Sequence, residues 1–439
     1  MTPEDTIAKE SLSQAVEGQT VSPVGDRPLR VLQVMASMNR GGAENMVMNM
    51  YRRIDRDRIQ FDFVVHTEDQ GHFDSEIEAL GGNLFHAPRY RGRNHIAYAR
   101  WWNRFFALHP EYHLVHGHVR STAAIYLSIA KRHGLGTIAH SHSTTSGRGL
   151  ESYVKNVLQW PIRHIADHLL ACSRDAAVWL FGKRAAERAQ IVANAVDVHD
   201  FAFNPSIRRE MRHEFGLDEE YVIGHVGRFH PVKNHRFLIS LLAELVRRGE
   251  NVILLLVGDG ELRTSFERRV AELEIGERVR LLGIRDDAAR IMQAMDCLVL
   301  PSLKEGFPVV LVEAQAAGLP CMVSDFVTAE AAITDLVEFK ALSSGVASWA
   351  DRLMGRRPSY MRSDHSEAIA TAGFDSLDLA ASMTDLYFGI TPTSSSNVRK
   401  RGHHLSTLSK RGTHYLRARP PGATDGDTKQ AHGGRSEDV

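Results

Sequence analysis

The feature that most constrains this chain is a pattern written twice: a strand-sized apolar run, a polar loop, then a stretch of helical periodicity. The first copy opens with LRVLQV at 29–34. It passes through Asn39-Arg40-Gly41-Gly42-Ala43-Glu44 into Met46, Val47, Met50, Tyr51 and Ile54 at helical spacing. FDFVVH at 61–66, YHLVHGH at 112–118, GTIAHSH at 136–142, HLLACS at 168–173 and QIVANAV at 190–196 read as further strands. Helices are expected around Ser75–Leu80, from about Ser121, and around 151–165. The second copy runs through YVIGHVGRF at 221–229, VILLLVGDG at 252–260, VRLLG at 279–283, CLVLPS at 297–302 and PCMVS at 320–324. Its helices fall at about 235–248, 261–273 and 308–317. Strands alternating with helices predict parallel sheets covered on both faces. The fold class is therefore α/β, with two Rossmann-like, doubly wound parallel-sheet domains facing across a cleft.

The length of 439 residues suits two cores rather than one. The expected boundaries are a flexible N-terminal arm at 1–28, a first domain at 29–200 and a second at 201–372. A C-terminal helix at 373–388 is expected to return toward the first domain, and 389–439 reads as a disordered basic tail. Lys+Arg and Asp+Glu both number 53, so no global field points to nucleic acid. The start MTPEDTIAKE is polar and acidic, unlike a secretory signal, and the apolar runs are too short to span a bilayer. A cytoplasmic protein is expected. The basic tail adds the option of peripheral contact with the inner face of a membrane. Cys172, Cys297 and Cys321 sit in apolar runs and read as buried small hydrophobes.

Chemistry concentrates in the second domain. Glu305-Gly306-Phe307-Pro308-Val309-Val310-Leu311-Val312-Glu313 places one carboxylate in a loop after a strand and another about two turns into the following helix. Ligands bind doubly wound sheets at that edge. The helix start around Pro308–Leu311 (Val309, Val310 and Leu311 included) offers unpaired N–H groups and a positive dipole end, which suits a diphosphate. Carboxylates accept hydrogen bonds from hydroxyls, so Glu305 can hold a sugar and Glu313 a ribose. Gly227-Arg228-Phe229-His230-Pro231-Val232-Lys233-Asn234 follows a strand, and Arg228 and Lys233 can neutralise charge growing on a leaving diphosphate. In the first domain, Gly41 and Gly42 allow close backbone approach at a helix start. His116, His118, His140 and His142 lie in pairs two apart at strand ends. Such pairs share a face, which leaves zinc ligation or hydrogen bonding as their use; no fixed third ligand is evident, and no metal is expected.

GRFHPVKN, VGDGEL, VRLLG and EGFPVVLVEAQAAGLP together resemble the retaining nucleotide-sugar transferases of glycosyltransferase family 4. SMNRGGAENMVMNMYRRIDRDRIQFDFVVH resembles the exopolysaccharide and capsular-polysaccharide branch of that family. The resemblance spans about residues 29–340. It implies the two-lobed GT-B fold and a metal-independent transfer that retains anomeric configuration. The co-substrate would be a nucleotide-diphosphate sugar, with UDP-sugars as the leading class and no other cofactor. A glycan or lipid-linked oligosaccharide would accept the sugar. By the same resemblance Arg228 and Lys233 grip the diphosphate, with Gly227 on their loop. Glu305 contacts the sugar, Gly306 and Phe307 lend backbone groups, Glu313 contacts the ribose, and Ile284 lies near the base. His142, then His140, is expected near the anomeric centre, and His118, Arg120 and Ser121 on the acceptor side. The rival readings are a GT-B sugar-nucleotide epimerase or phosphorylase, and an inactive GT-B module that binds a partner.

Overall fold

The computed structural model describes residues 27–143, 156–305, 307–355 and 361–390. The arm at 1–26, the tail from 391 on, part of the helix expected at 151–165, and Gly306 lie outside the described residues. The first sheet has seven parallel strands: β1 (Leu29–Val34), β2 (Ile59–Val65), β3 (Leu84–His86), β4 (Tyr112–Gly117), β5 (Gly136–Ser141), β6 (His168–Ala171) and β7 (Gln190–Ile191). Their spatial order is β3-β2-β1-β4-β5-β6-β7. The second sheet has six: β8 (Tyr221–Val226), β9 (Val252–Val257), β10 (Val279–Leu281), β11 (Cys297–Leu300), β12 (Cys321–Ser324) and β13 (Val337–Lys340). Their order is β10-β9-β8-β11-β12-β13, and all pairings are parallel.

The central strands are buried on both faces, which is why β9 reads VILLLV without a polar break. Helices cover both sides. Four bear on the site: α1 (Gly42–Arg53), α2 (His235–Arg247), α3 (Val309–Ala316) and α4 (Ser376–Ile390). Leu379, Ala380, Met383 and Tyr387 of α4 join Leu29, Val31, Phe61 and Phe63 in one core under the first sheet. The last helix of the described chain thus belongs physically to the first lobe.

QIVANAV is strand only at Gln190–Ile191; beyond it Val196 bonds instead to Phe374 and Ser376, where the chain returns. Val192 and Ala195 of that segment pack under the first sheet, and Val196 joins Val198, Val312, Ala316 and Ile369 in a small core between the lobes. Leu84–His86, Val337–Lys340 and the aromatic-rich helix His95–Leu108 carry weak or mixed periodicity and are not legible as elements in the sequence. The three cysteines are buried.

Each sheet reverses its winding once, between β1 and β4 in the first lobe and between β8 and β11 in the second. Loops leaving adjacent strands on opposite faces open a crevice there. The loops at those points begin with Met35 and His118 in one lobe and with Gly227 and Pro301 in the other. Geometry therefore places the two sets of sequence motifs at the two crevices.

The GDG turn after β9 supports the second crevice. Gly258 has φ +134°, and a Cβ there would collide with the carbonyl oxygen of Gly227. Gly258→Ala should lose roughly 2 kcal/mol or more, from backbone strain and this collision. Chemical denaturation of both proteins checks it; an unchanged midpoint and slope would show that the turn tolerates a side chain.

Candidate functional site

One cleft of about 580 Å³, the larger of two cavities that meet here, lies between the two switch points. From the first lobe it is lined by Arg40, Gly41, Gly42, Ala43, Asn45, His142, Ser143 and Asn194. The second lobe contributes residues from three segments: 226–228, 232–233 and 304–313, including Arg228, Lys233, Glu305, Phe307, Val309, Val310 and Glu313. The start of α1 and the start of α3 thus face the same space. The first N–H groups of a helix have no partner within it and carry partial positive charge. Gly41 precedes α1 in extended conformation, with the carboxylate of Glu44 folded back against it.

The loops after β8 and β11 are joined to each other. Asn234 Nδ2 donates to the carbonyl of Pro301 at 3.0 Å, and the Leu303 N–H donates to that of Val232 at 2.7 Å. Asn234 adopts the left-handed conformation, φ 55° and ψ 45°, which asparagine tolerates better than most residues. That turn sets Lys233 on its short 3₁₀ segment, Pro231–Lys233. Lys233 Nζ then donates to Glu305 Oε1 at 2.7 Å, and Ser302 Oγ donates to the same oxygen at 2.7 Å. Arg228 is exposed and lines the cleft, with no side-chain hydrogen bond or ion pair to the described residues. Cations thus outnumber carboxylates: Arg40, Arg228, Lys233 and Lys304 against Glu305 and Glu313.

Glu313 lies on α3 at the cleft wall, and burial raises its carboxyl to about 7. A second, smaller cavity of about 360 Å³ shares Arg40, Asn45 and Glu313 with the cleft and extends to Arg285 and Asp286. Arg40 Nη1 donates to the Arg285 carbonyl at 2.6 Å and its other arm pairs with Asp286, so this one side chain bridges the lobes.

The other expected residues fall in different places. Leu311 lines no part of the cleft; its side chain is in the core of the second lobe, because α3 turns it toward the sheet. Ile284 is exposed on the loop after β10, outside the cleft lining. Phe307 stacks on Phe374 at 5.6 Å, which ties the loop after β11 to the returning chain. Arg120 stacks over Trp179 at 4.5 Å, and neither it nor Ser121 lines the cleft. His140 is buried behind His142, and His118 bonds to His142 from within. Gly306 lies outside the described residues. Arg40, Asn194 and Lys304 line the cleft although the sequence motifs do not mark them as site residues. Lys304 is visible as the cation adjoining Glu305, but the placement of Arg40 and Asn194 depends on how the lobes meet.

Two doubly wound lobes with a cation-rich cleft between their switch points define a GT-B protein, and comparison with known proteins gives the family. Residues 40–200 match Glycosyltransferase Family 4, and residues 207–346 match Glycosyl transferases group 1. EpsF of Bacillus subtilis (strain 168), itself inferred to be a glycosyltransferase, is 35% identical over 82% of this chain and 96% of its own length. The UDP-Gal:alpha-D-GlcNAc-diphosphoundecaprenol alpha-1,3-galactosyltransferase of Escherichia coli is 34% identical, over 31% of this chain and 37% of its own. The crystal structure of Anabaena HepE, in complex with UDP and glucose, superposes with a TM-score of 0.68 at 18% identity, covering 82% of this chain and all of HepE. The chain belongs to the family 4 glycosyltransferases. No helix among the described residues is long and apolar enough to cross a membrane.

The Glu313 carboxyl gives a test by pH. A carboxyl raised by folding binds its proton more tightly in the folded protein than in the unfolded chain. Stability from this group is therefore lost as pH rises from 4.5, the ordinary value, through about 7. Glu313→Gln should match the parent below that window. Above pH 7 it should be more stable, by on the order of 2 kcal/mol after allowing for cleft water. Urea unfolding at about pH 4 and pH 8 measures both limits; a gain of equal size at each would remove the ionisation from the explanation.

Proposed function

We propose that this glycosyltransferase moves a sugar from a UDP-sugar to a lipid-linked or glycan acceptor in extracellular polysaccharide assembly, with retention of configuration and no metal ion. The observation that carries this reading is the convergence of Arg228, Lys233 and two helix starts on one cleft that also holds Glu305 and Glu313. A diphosphate needs cations and N–H donors; the sugar and ribose need acceptors for their hydroxyls. The UDP and glucose bound to HepE, and the UDP-Gal and diphosphoundecaprenol in the Escherichia coli relative's name, support the choice of donor and acceptor.

In this reading the bond from the anomeric carbon to the diphosphate oxygen breaks first, leaving its electron pair on that oxygen. Lys233, Arg228 and the start of α3 stabilise the charge that develops there. The acceptor hydroxyl adds to the same face, and its proton passes to the departing phosphate. Glu305 serves twice, since it holds Lys233 in position at 2.7 Å while accepting from the sugar. His142, at the first-lobe wall of the cleft, is assigned in this reading to the neighbourhood of the anomeric carbon. The tail's excess of Lys and Arg favours peripheral contact with anionic lipid on the cytoplasmic face, where such an acceptor would be anchored.

The reading is tested by a transfer assay with UDP-, GDP- and ADP-sugars against a lipid-diphosphate-linked acceptor, with a metal chelator present. Transfer is expected from a UDP-sugar. Lys233→Ala should lower kcat by roughly a hundredfold or more, with the melting temperature little changed. Near-normal turnover would remove Lys233 from the chemistry. Loss of activity to the chelator, restored by a divalent ion, would overturn the metal-free mechanism. Conversion of donor without acceptor would favour the epimerase reading.

A further inference from the structure

Behind the cleft lies a buried chain of hydrogen bonds that reaches from α4 to His142. Its hub is Gln33 on β1, which is fully buried. Gln33 Nε2 donates to the hydroxyl of Tyr387 at 3.3 Å, and Gln33 Oε1 faces His118 Nε2 at 2.9 Å. His118 Nδ1 faces His142 Nε2 at 2.8 Å. On the other arm Tyr387 Oη faces His116 Nδ1 at 2.8 Å, and His116 Nε2 faces His140 Nδ1 at 3.2 Å. Two ring nitrogens of the network remain without a partner among the described residues, His140 Nε2 and His142 Nδ1.

A neutral imidazole has one donor nitrogen and one acceptor, so each bond in this chain dictates the next. An amide oxygen can only accept, so His118 carries its proton on Nε2 and offers a lone pair at Nδ1. His142 must then donate from Nε2 and keeps a lone pair at Nδ1. Along the other arm the Tyr387 hydroxyl accepts from Gln33 and donates to His116. His116 therefore donates to His140. Burial lowers the proton affinity of all four rings and keeps them neutral. Turning the amide of Gln33 over would reverse every assignment and move the proton of His142 to Nδ1.

We propose that Gln33 and Tyr387 are positioning residues that fix His142 in the Nε2–H tautomer and so hold its ring in one orientation at the cleft wall. This rests on the placement of His142 in the transfer reaction proposed above. His116, His118 and His140 also bring ring nitrogens within 4.8 Å of one another, a spacing that a metal ion can use. The self-consistent donor and acceptor order assigns those nitrogens to hydrogen bonds instead, and the test separates the two.

The experiment is ¹⁵N-histidine NMR on the full chain, with steady-state kinetics, for the parent, Tyr387→Phe, Gln33→Met and His142→Ala. The parent should show the His142 signal, assigned by its absence in His142→Ala, as a single Nε2–H tautomer. Tyr387→Phe and Gln33→Met should each give mixed tautomers and lower kcat roughly ten- to a hundredfold, with donor KM within about twofold. Two variants are used so that a folding defect in one, read from its melting temperature, leaves the other decisive. An Nδ1–H tautomer in the parent, an unchanged His142 signal in both variants, or stoichiometric zinc bound to the cluster would overturn the proposal. Full turnover in His142→Ala alongside the expected tautomer shift would instead overturn the role of His142 in transfer and leave the network standing.

Discussion

Lys233 is paired within the protein itself. Its ammonium lies against Glu305, and the pair closes a seam between the two loops that flank the second lobe's switch point. This contact does more than neutralise charge. A lysine side chain has many rotamers, and holding it in one conformation costs entropy when a phosphate binds. In the reaction proposed above, Glu305 moves that cost from the binding step to folding. The Ser302 hydroxyl fixes the carboxylate in turn, so the cation, its acceptor and the start of α3 form one prearranged surface. Arg228 makes no such pairing with the described residues and retains its full capacity for an incoming anion.

The lobes themselves are joined unevenly. Across the cleft the contacts are polar: Arg40 bonds to the Arg285 carbonyl and pairs with Asp286. Ion pairs with water access contribute about 0–1 kcal/mol each. That edge is therefore held only weakly. At the rear, Val196, Val198, Val312, Ala316 and Ile369 form an apolar core, and Phe307 stacks on Phe374. Apolar burial at one edge and polar contacts at the other hold the two edges unequally.

How much of this is legible in the sequence depends on distance along the chain. Gly227–Asn234 and Glu305–Glu313 can be read because each lies within one strand, loop and helix, where local geometry alone aims the side chains. The central strands can be read because two-sided burial leaves an unbroken apolar run. Leu311 and Val309 look alike in sequence, and only the rotation of α3 sends one to the core and the other to the cleft. Arg40 and Asn194 acquire a place only when two lobes face each other. Gln33 and Tyr387 stand 354 positions apart, and no periodicity links a glutamine in one strand to a tyrosine in the last helix.

That last pairing explains why α4 belongs to the first lobe. Leu379, Ala380 and Met383 would suffice to hold an amphipathic helix on the sheet. Tyr387 adds a hydroxyl in a place where a phenylalanine would bury the same ring without a polar group to satisfy. An unpaired buried hydroxyl is costly, so the hydroxyl is tolerated only because Gln33 and His116 meet it. Those partners are themselves polar residues under a hydrophobic sheet, and each is satisfied only by the next. Such a network specifies one arrangement more sharply than apolar packing can, since sliding α4 by a single residue would orphan several groups at once. The helix that follows the second lobe in sequence is thereby registered against the wall of the cleft where His142 sits.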